Sequence, residues 1–168
     1  RIGPNPNFST RVFAMAPAPL RQFGLKTTMV TTLQSISGAG YPGVPAWDIL
    51  GNIIPYIGGG EEEKIETETK KILGSLAGEA VEPHPVRVSA HTNRVPVVDG
   101  HTETVSVALE QNPSLAALRA AIDGFAGAPQ RLGLPTAPER PLLYLDQPNR
   151  PQPRFDAGRG RGMTVSVG

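Results

Sequence analysis

The sequence predicts an α+β domain: a mixed, largely antiparallel sheet with helices packed on one face. Three observations predict it. Residues 26–33 are dense in β-branched side chains. Residues 104–109 alternate with period two through Val105, Val107 and Leu109. Two segments, 61–76 and 114–125, carry apolar residues at helical spacing. Strands and helices follow one another without a regular βαβ rhythm, which argues against a parallel doubly wound sheet.

Composition narrows the function classes. The 168 residues suffice for one domain with a real core. A net charge of +1 from balanced acids and bases, with few aromatic residues, gives nucleic acid no footprint. No apolar run reaches the length of a membrane span, and no signal segment opens the chain. Cysteine is absent, which excludes disulfides, thiolate metal sites and a cysteine nucleophile. No metal site is expected. Arg1 follows no Met and Gly168 ends an expected strand at 163–167, so the chain reads as a piece of a longer protein.

Taken in order, residues 1–8 read as an entering loop. Residues 11–23 resist assignment, because Pro17 and Pro19 interrupt a helical pattern. After the first strand comes a glycine-punctuated loop, 34–43, containing Ser37-Gly38-Ala39-Gly40. Glycine lets a backbone come close to a ligand, but this run lacks the spacing of a dinucleotide fingerprint and reads equally as a tight connection. Residues 48–57 suggest one short helix and a buried connection. Gly58-Gly59-Gly60 then releases the strongest helix, 61–76. Glu61, Glu62 and Glu63 favour its first turn, and Ile65, Ile72, Leu73 and Leu76 form its expected buried stripe. Glu61 and Lys64 share a face, as an ordinary solvated ion pair would.

Residues 78–85 read as a loop and 86–90 as a strand. Next is the stretch around which the chain is organised, 93–103: an extended segment, a tight Asp99-Gly100 turn, and the start of the alternating strand. Arg94 and His101 bracket it. A permanent cation and a group titrating near neutrality suit an anionic substrate that needs proton transfer; a surface arginine and a hairpin-flanking histidine would look the same. The second helix, 114–125, has Asn112 or Ser114 as its cap and Leu115, Leu118, Ile122 and Phe125 on one face. Residues 126–141 form a Pro/Gly-rich connection and 142–145 a short strand. The polar stretch 147–162 carries Arg150, Arg154, Arg159 and Arg161, a phosphate-binding cluster or simply a solvated rim.

Residues 31–45, 61–69, 86–107, 149–154 and 162–168, in that order, resemble aspartate-semialdehyde dehydrogenase of the branch shared by fungi and archaea. The resemblance implies that residues 1–168 form the catalytic, substrate-binding and dimerisation domain, like the C-terminal domain of glyceraldehyde-3-phosphate dehydrogenase. The N-terminal Rossmann domain and the C-terminal helix would lie outside the chain. It further implies a cytoplasmic biosynthetic enzyme, a homodimer or homotetramer with no nucleic-acid or membrane partner, that uses NADP held mainly by the Rossmann domain. The reaction is the reductive dephosphorylation of β-aspartyl phosphate to aspartate β-semialdehyde and phosphate, on the route to lysine, threonine, methionine and isoleucine.

Carried over by position, Gln34 resembles the glutamine that orients substrate and nucleophile, and His101 the general acid–base. Glu61 resembles the acid that holds the substrate ammonium, Lys64 and Asn7 parts of the phosphate site, and Arg94 the grip on the α-carboxylate. Ser37 and Gly38 resemble residues lining the nicotinamide side. The chain departs at the nucleophile. The family reads Asn-Cys-Ser/Thr where this sequence reads Asn7-Phe8-Ser9-Thr10. With no thiol and no nucleotide domain, the isolated chain is expected to be inactive. Two alternatives follow: a non-catalytic dimerisation or interaction module that has lost the nucleophile, or an N-acetylglutamyl-phosphate reductase. Glu61 speaks against the second, since an acetylated amine carries no charge to pair with it.

Overall fold

The computed structural model describes residues 5–168. The first half of the expected entering loop, 1–4, lies outside the described residues. The second half is not all loop, for Phe8 opens a helix, α1 (Phe8–Met15). Asn7 caps it, its Oδ1 accepting from the Thr10 amide at 3.1 Å. The region that Pro17 and Pro19 obscured resolves into this helix, ending before Pro17, and a 3-10 turn at Ala18–Phe23 with Pro19 near its start.

The expected first strand is β1 (Leu25–Gln34). The glycine loop beyond it holds a 3-10 turn at Ile36–Ala39. Next come α2 (Ala46–Ile49) and the two-residue β2 (Ile54–Pro55). This corrects the buried connection expected at 48–57. Ile49 is buried, but Leu50, Ile53 and Tyr56 are exposed, because β2 touches only the end of one strand and nothing covers its outer side among the described residues.

The strong helix, α3 (Glu61–Ile72), starts where expected and stops four residues early. The cause lies at Gly74, where a Cβ would stand 2.3 Å from the Glu82 carbonyl oxygen. The chain turns there into a hairpin of β3 (Ser75–Ala77) and β4 (Ala80–Glu82), unannounced by the sequence pattern. Ile65 and Leu73 are buried as expected, whereas Ile72 and Leu76 are exposed, Leu76 because it sits in the hairpin.

β5 (Arg87–Arg94) and β6 (Thr102–Leu109) flank Asp99-Gly100, yet they do not form a hairpin. The sheet order is β2-β5-β1-β6, so β1 lies between them. β1 pairs parallel with β5 (Gln34 opposite Arg94) and antiparallel with β6; β2 pairs antiparallel with β5. The sheet is thus mixed and mostly antiparallel. α1 and α3 cover one face, with Phe13, Val30, Ile65 and Ala90 in one core cluster and Leu25, Leu73 and Val86 in another. Val105, Val107 and Leu109 pack against these clusters, as their alternation predicts. On the opposite face Met29, Ser89, His91 and Ser106 are exposed.

Most of the edge of β5 is left unpaired by the short β2, and α3 supplies the missing acceptors. Glu66 Oε1 accepts from the Ala90 amide at 3.1 Å and Glu62 Oε1 from the Thr92 amide at 2.9 Å. The last third contains α4 (Leu115–Asp123), α5 (Ala128–Arg131), β7 (Leu142–Tyr144), α6 (Pro153–Asp156) and β8 (Val165–Val167). Ser114 caps α4, accepting from the Ala117 amide at 3.2 Å. Ile122 is buried, but Leu115, expected on the same face, is exposed in the first turn. β7 and β8 form a separate parallel pair. Among the described residues no helix is long and apolar enough to cross a membrane.

Candidate functional site

The carboxyl ends of the parallel pair β1 and β5 bring Gln34 and Arg94 side by side. Two loops leave this edge and are stitched together: the Ile36 amide donates to the Val97 carbonyl at 2.7 Å and the Ser37 amide to the Val98 carbonyl at 3.1 Å. The stitching carries His101, at the foot of β6, up to Ser35. The Ser35 amide donates to His101 Nδ1 at 3.3 Å, and the Ser35 hydroxyl lies 3.0 Å from the same nitrogen. The Ser35 carbonyl accepts from Arg94 Nη1 at 2.9 Å.

Gly38 closes this side. A Cβ there would stand 2.9 Å from both Arg94 Nη1 and His101 Cε1 and 3.0 Å from Nε2, so the bare backbone lies directly against both side chains. Phe8, at the start of α1, presents its ring edge-on to His101, with centroids 5.0 Å apart. Asn7 Nδ2 donates to both carboxylate oxygens of Glu61 at 2.9 Å, and Lys64 Nζ lies 3.7 Å from Glu61. Lys64 also donates to the Gly59 carbonyl at 3.0 Å. The sequence-predicted residues Asn7, Phe8, Gln34, Gly38, Glu61, Arg94 and His101 are therefore gathered at one end of the sheet, with Lys64 beside Glu61 and the exposed Ser37 on the rim.

Burial sets the electrostatics. Desolvation lowers the His101 pKa and the Arg94 charge lowers it further, against an opposing pull from Glu61, so His101 is held neutral at neutral pH. Arg94 is 7% exposed, and its pKa too is lowered by burial, again opposed by Glu61. Gln34 is buried, and its Nε2 has no hydrogen-bond partner among the described residues. An orphaned donor of this kind costs stability and is suited to a ligand oxygen.

Two residues escaped the sequence reading. Ser35 is fully buried and touches both His101 and Arg94, mostly through backbone groups that carry no residue-type signal. Glu103 lies two positions beyond His101, on the same face as Val105, and both line a cavity of about 290 Å³ with Phe8 and Ser166. Desolvation raises its pKa to about 8, and Oε1 has no partner among the described residues. A carboxylate in register with an apolar stripe was the available signal. The arginine cluster is only partly free: Arg150 Nε and Arg159 Nε donate to Asp156 at 2.7 and 2.8 Å. These bonds hold the buried Asp156 well below the usual carboxylate range.

Comparison with known proteins identifies a family for the chain. Residues 18–168 match the family described as semialdehyde dehydrogenase, dimerisation domain. The chain is 49% identical over 165 residues to the aspartate-semialdehyde dehydrogenase of Methanothermobacter thermautotrophicus, covering 98% of this chain and 47% of that protein. With the enzyme of Saccharomyces cerevisiae it is 46% identical over 164 residues, covering 90% of this chain and 45% of that protein. The crystal structure of the Candida albicans aspartate-semialdehyde dehydrogenase with NADP superposes with a TM-score of 0.84 at 41% identity, over 96% of this chain and 46% of that one. The chain spans about half the length of the curated relatives it matches. With archaeal and fungal relatives this similar over nearly its whole length, the chain belongs to the semialdehyde dehydrogenase dimerisation-domain family.

Proposed function

We propose that this chain is the substrate-binding and dimerisation half of an aspartate-semialdehyde dehydrogenase, a cytoplasmic enzyme that reductively dephosphorylates β-aspartyl phosphate with NADP and works as a homodimer or homotetramer. The observation that carries the reading is the convergence of Arg94, Glu61 and His101 at one sheet end. The substrate has an α-carboxylate, an ammonium and a phosphate. Arg94 offers a fork for the first, Glu61 a countercharge for the second and Lys64 a cation for the third, while Asn7, whose side-chain donors are spent on Glu61, aims that carboxylate beside the phosphate position. Gln34 Nε2 supplies a further unspent donor, and His101, neutral in its half-buried seat, is the general acid–base.

The exposed Ser37 and the side-chain-free Gly38 suit the flat face of a nicotinamide, because no Cβ stands between that backbone and His101. NADPH, when bound, supplies the hydride; this half of the enzyme orients the carbonyl that receives it. Phe8 stands where the family carries its nucleophilic cysteine, and phenylalanine has no group to attack an acyl phosphate. The chain alone therefore binds but does not turn over.

The test restores the nucleotide domain and compares the protein with Phe8 against the Phe8→Cys variant, following phosphate-dependent NADPH formation from aspartate β-semialdehyde. Turnover in the Cys version only supports the reading. Turnover in neither, together with no binding of a β-aspartyl phosphonate, overturns it in favour of a dimerisation module that has left catalysis. The edge-on packing of Phe8 against His101 is what favours that second reading.

A further inference from the structure

Ser35 engages both His101 and Arg94 with its own backbone. Its amide donates to His101 Nδ1 and its carbonyl accepts from Arg94 Nη1. The hydroxyl lies 3.0 Å from His101 Nδ1 on one side and 3.1 Å from the hydroxyl of Ser37 on the other. Ser35 is fully buried, while Ser37 is exposed. A backbone amide can only donate, so Nδ1 must accept, and the neutral imidazole carries its proton on Nε2. Nε2 is one of the atoms that a side chain on Gly38 would strike.

We infer that Ser35 is the positioning residue of this site: its amide fixes His101 as the Nε2–H tautomer, and its hydroxyl, backed by Ser37, is the acceptor that lets His101 take a second proton. The inference rests on the proposed reading only in giving that proton a use. When His101 becomes an imidazolium, the new Nδ1–H needs an acceptor, which the amide cannot be. The Ser35 hydroxyl can turn, accepting from Nδ1–H and donating to Ser37 Oγ. One solvent proton binds at Nδ1, one N–H bond forms, and the serine hydroxyls rotate without losing theirs. The groups facing the ring are Arg94 from β5, which opposes the second proton, Glu61 from α3, which favours it, and the uncharged Phe8 ring from α1. Glu103 lines the same cavity from β6.

Nitrogen NMR of the whole chain tests this, because the sequence has 3 histidines and His101→Gln identifies the relevant pair of ring signals. At alkaline pH His101 should show the Nε2–H pattern. Ser35→Ala should keep that tautomer, since the amide survives, and lower the titration midpoint by about one pH unit, the size of a hydrogen bond to a charged group. Ser37→Ala, at an exposed position, should lower it by less. An Nδ1–H tautomer in the unsubstituted chain overturns the proposal, as does an unmoved midpoint in a folded Ser35→Ala. Should that variant not fold, an unmoved midpoint in Ser37→Ala does the same. Failure of the Phe8→Cys protein to turn over would leave these spectra unchanged, so the two readings fail separately.

Discussion

Asn7 Nδ2 sits 2.9 Å from both carboxylate oxygens of Glu61, across 54 positions of sequence, while Asn7 Oδ1 caps α1. The Asn7 amide also donates to Glu68 Oε2 at 2.8 Å. One residue thus starts a helix and aims a candidate substrate contact. Asn7→Ala should cost about 1–2 kcal/mol in urea unfolding through the lost cap. Asn7→Asp keeps the cap acceptor but sets a carboxylate against Glu61. Its stability should recover at acidic pH, where the Ala variant's does not.

Arg94 is nearly enclosed and its guanidinium is held by the Ser35 carbonyl. Arg94→Ala should weaken binding of a β-aspartyl phosphonate by about 2–4 kcal/mol, read by calorimetry. Arg94→Lys should recover little of that, because an ammonium cannot both reach Ser35 and present a fork to a carboxylate. Unchanged affinity in the Ala variant would remove Arg94 from the site.

Gly38→Ala places a methyl against the far ends of Arg94 and His101. Both side chains can shift, so stability should change by less than about 1 kcal/mol. The ring signals of His101 should move and phosphonate affinity should fall at least tenfold. A variant with normal spectra and normal binding would show that the bare backbone at this turn is incidental.

Much of this was legible in the sequence, and the misses share a cause. β1, β6 and α4 announced themselves through local pattern, as did the start of α3, whose three glutamates complement the helix dipole. The end of α3 was set by the Glu82 carbonyl packed on Gly74, a contact no local window contains. Asp99-Gly100 read as a hairpin turn because the chemistry of that dipeptide is local, while the insertion of β1 between β5 and β6 is not. At the site, Arg94 and His101 stood out as residue types. Ser35 did not, since its importance lies mainly in backbone groups that every residue has.

Glu103 gives the stability a pH dependence of its own. Its pKa is raised from 4.5 to about 8 by burial, so the folded state prefers the protonated acid. That preference is fully present below the unfolded pKa and is lost as pH rises through the folded one. Glu103→Gln should therefore remove the decline between about pH 4.5 and 8, gaining about 3–5 kcal/mol over the native chain by pH 9 relative to pH 4. Parallel denaturation curves at the two pH values check this. Equal slopes with pH in both proteins would mean that the carboxyl is hydrated in solution.

The threading of β1 between two strands that follow it much later has a temporal consequence. β1 ends at Gln34, and its partners occupy Arg87–Arg94 and Thr102–Leu109, so neither ladder can zip outward from a turn. Each requires closure of a long loop before any pairing rewards it, which places this domain among slow-folding, high-contact-order topologies. On the ribosome, β1 emerges well before either neighbour and waits with both edges unsatisfied. Gln34, Arg94 and His101 come from three different strand ends, so the recognition centre is completed only when the last ladder closes.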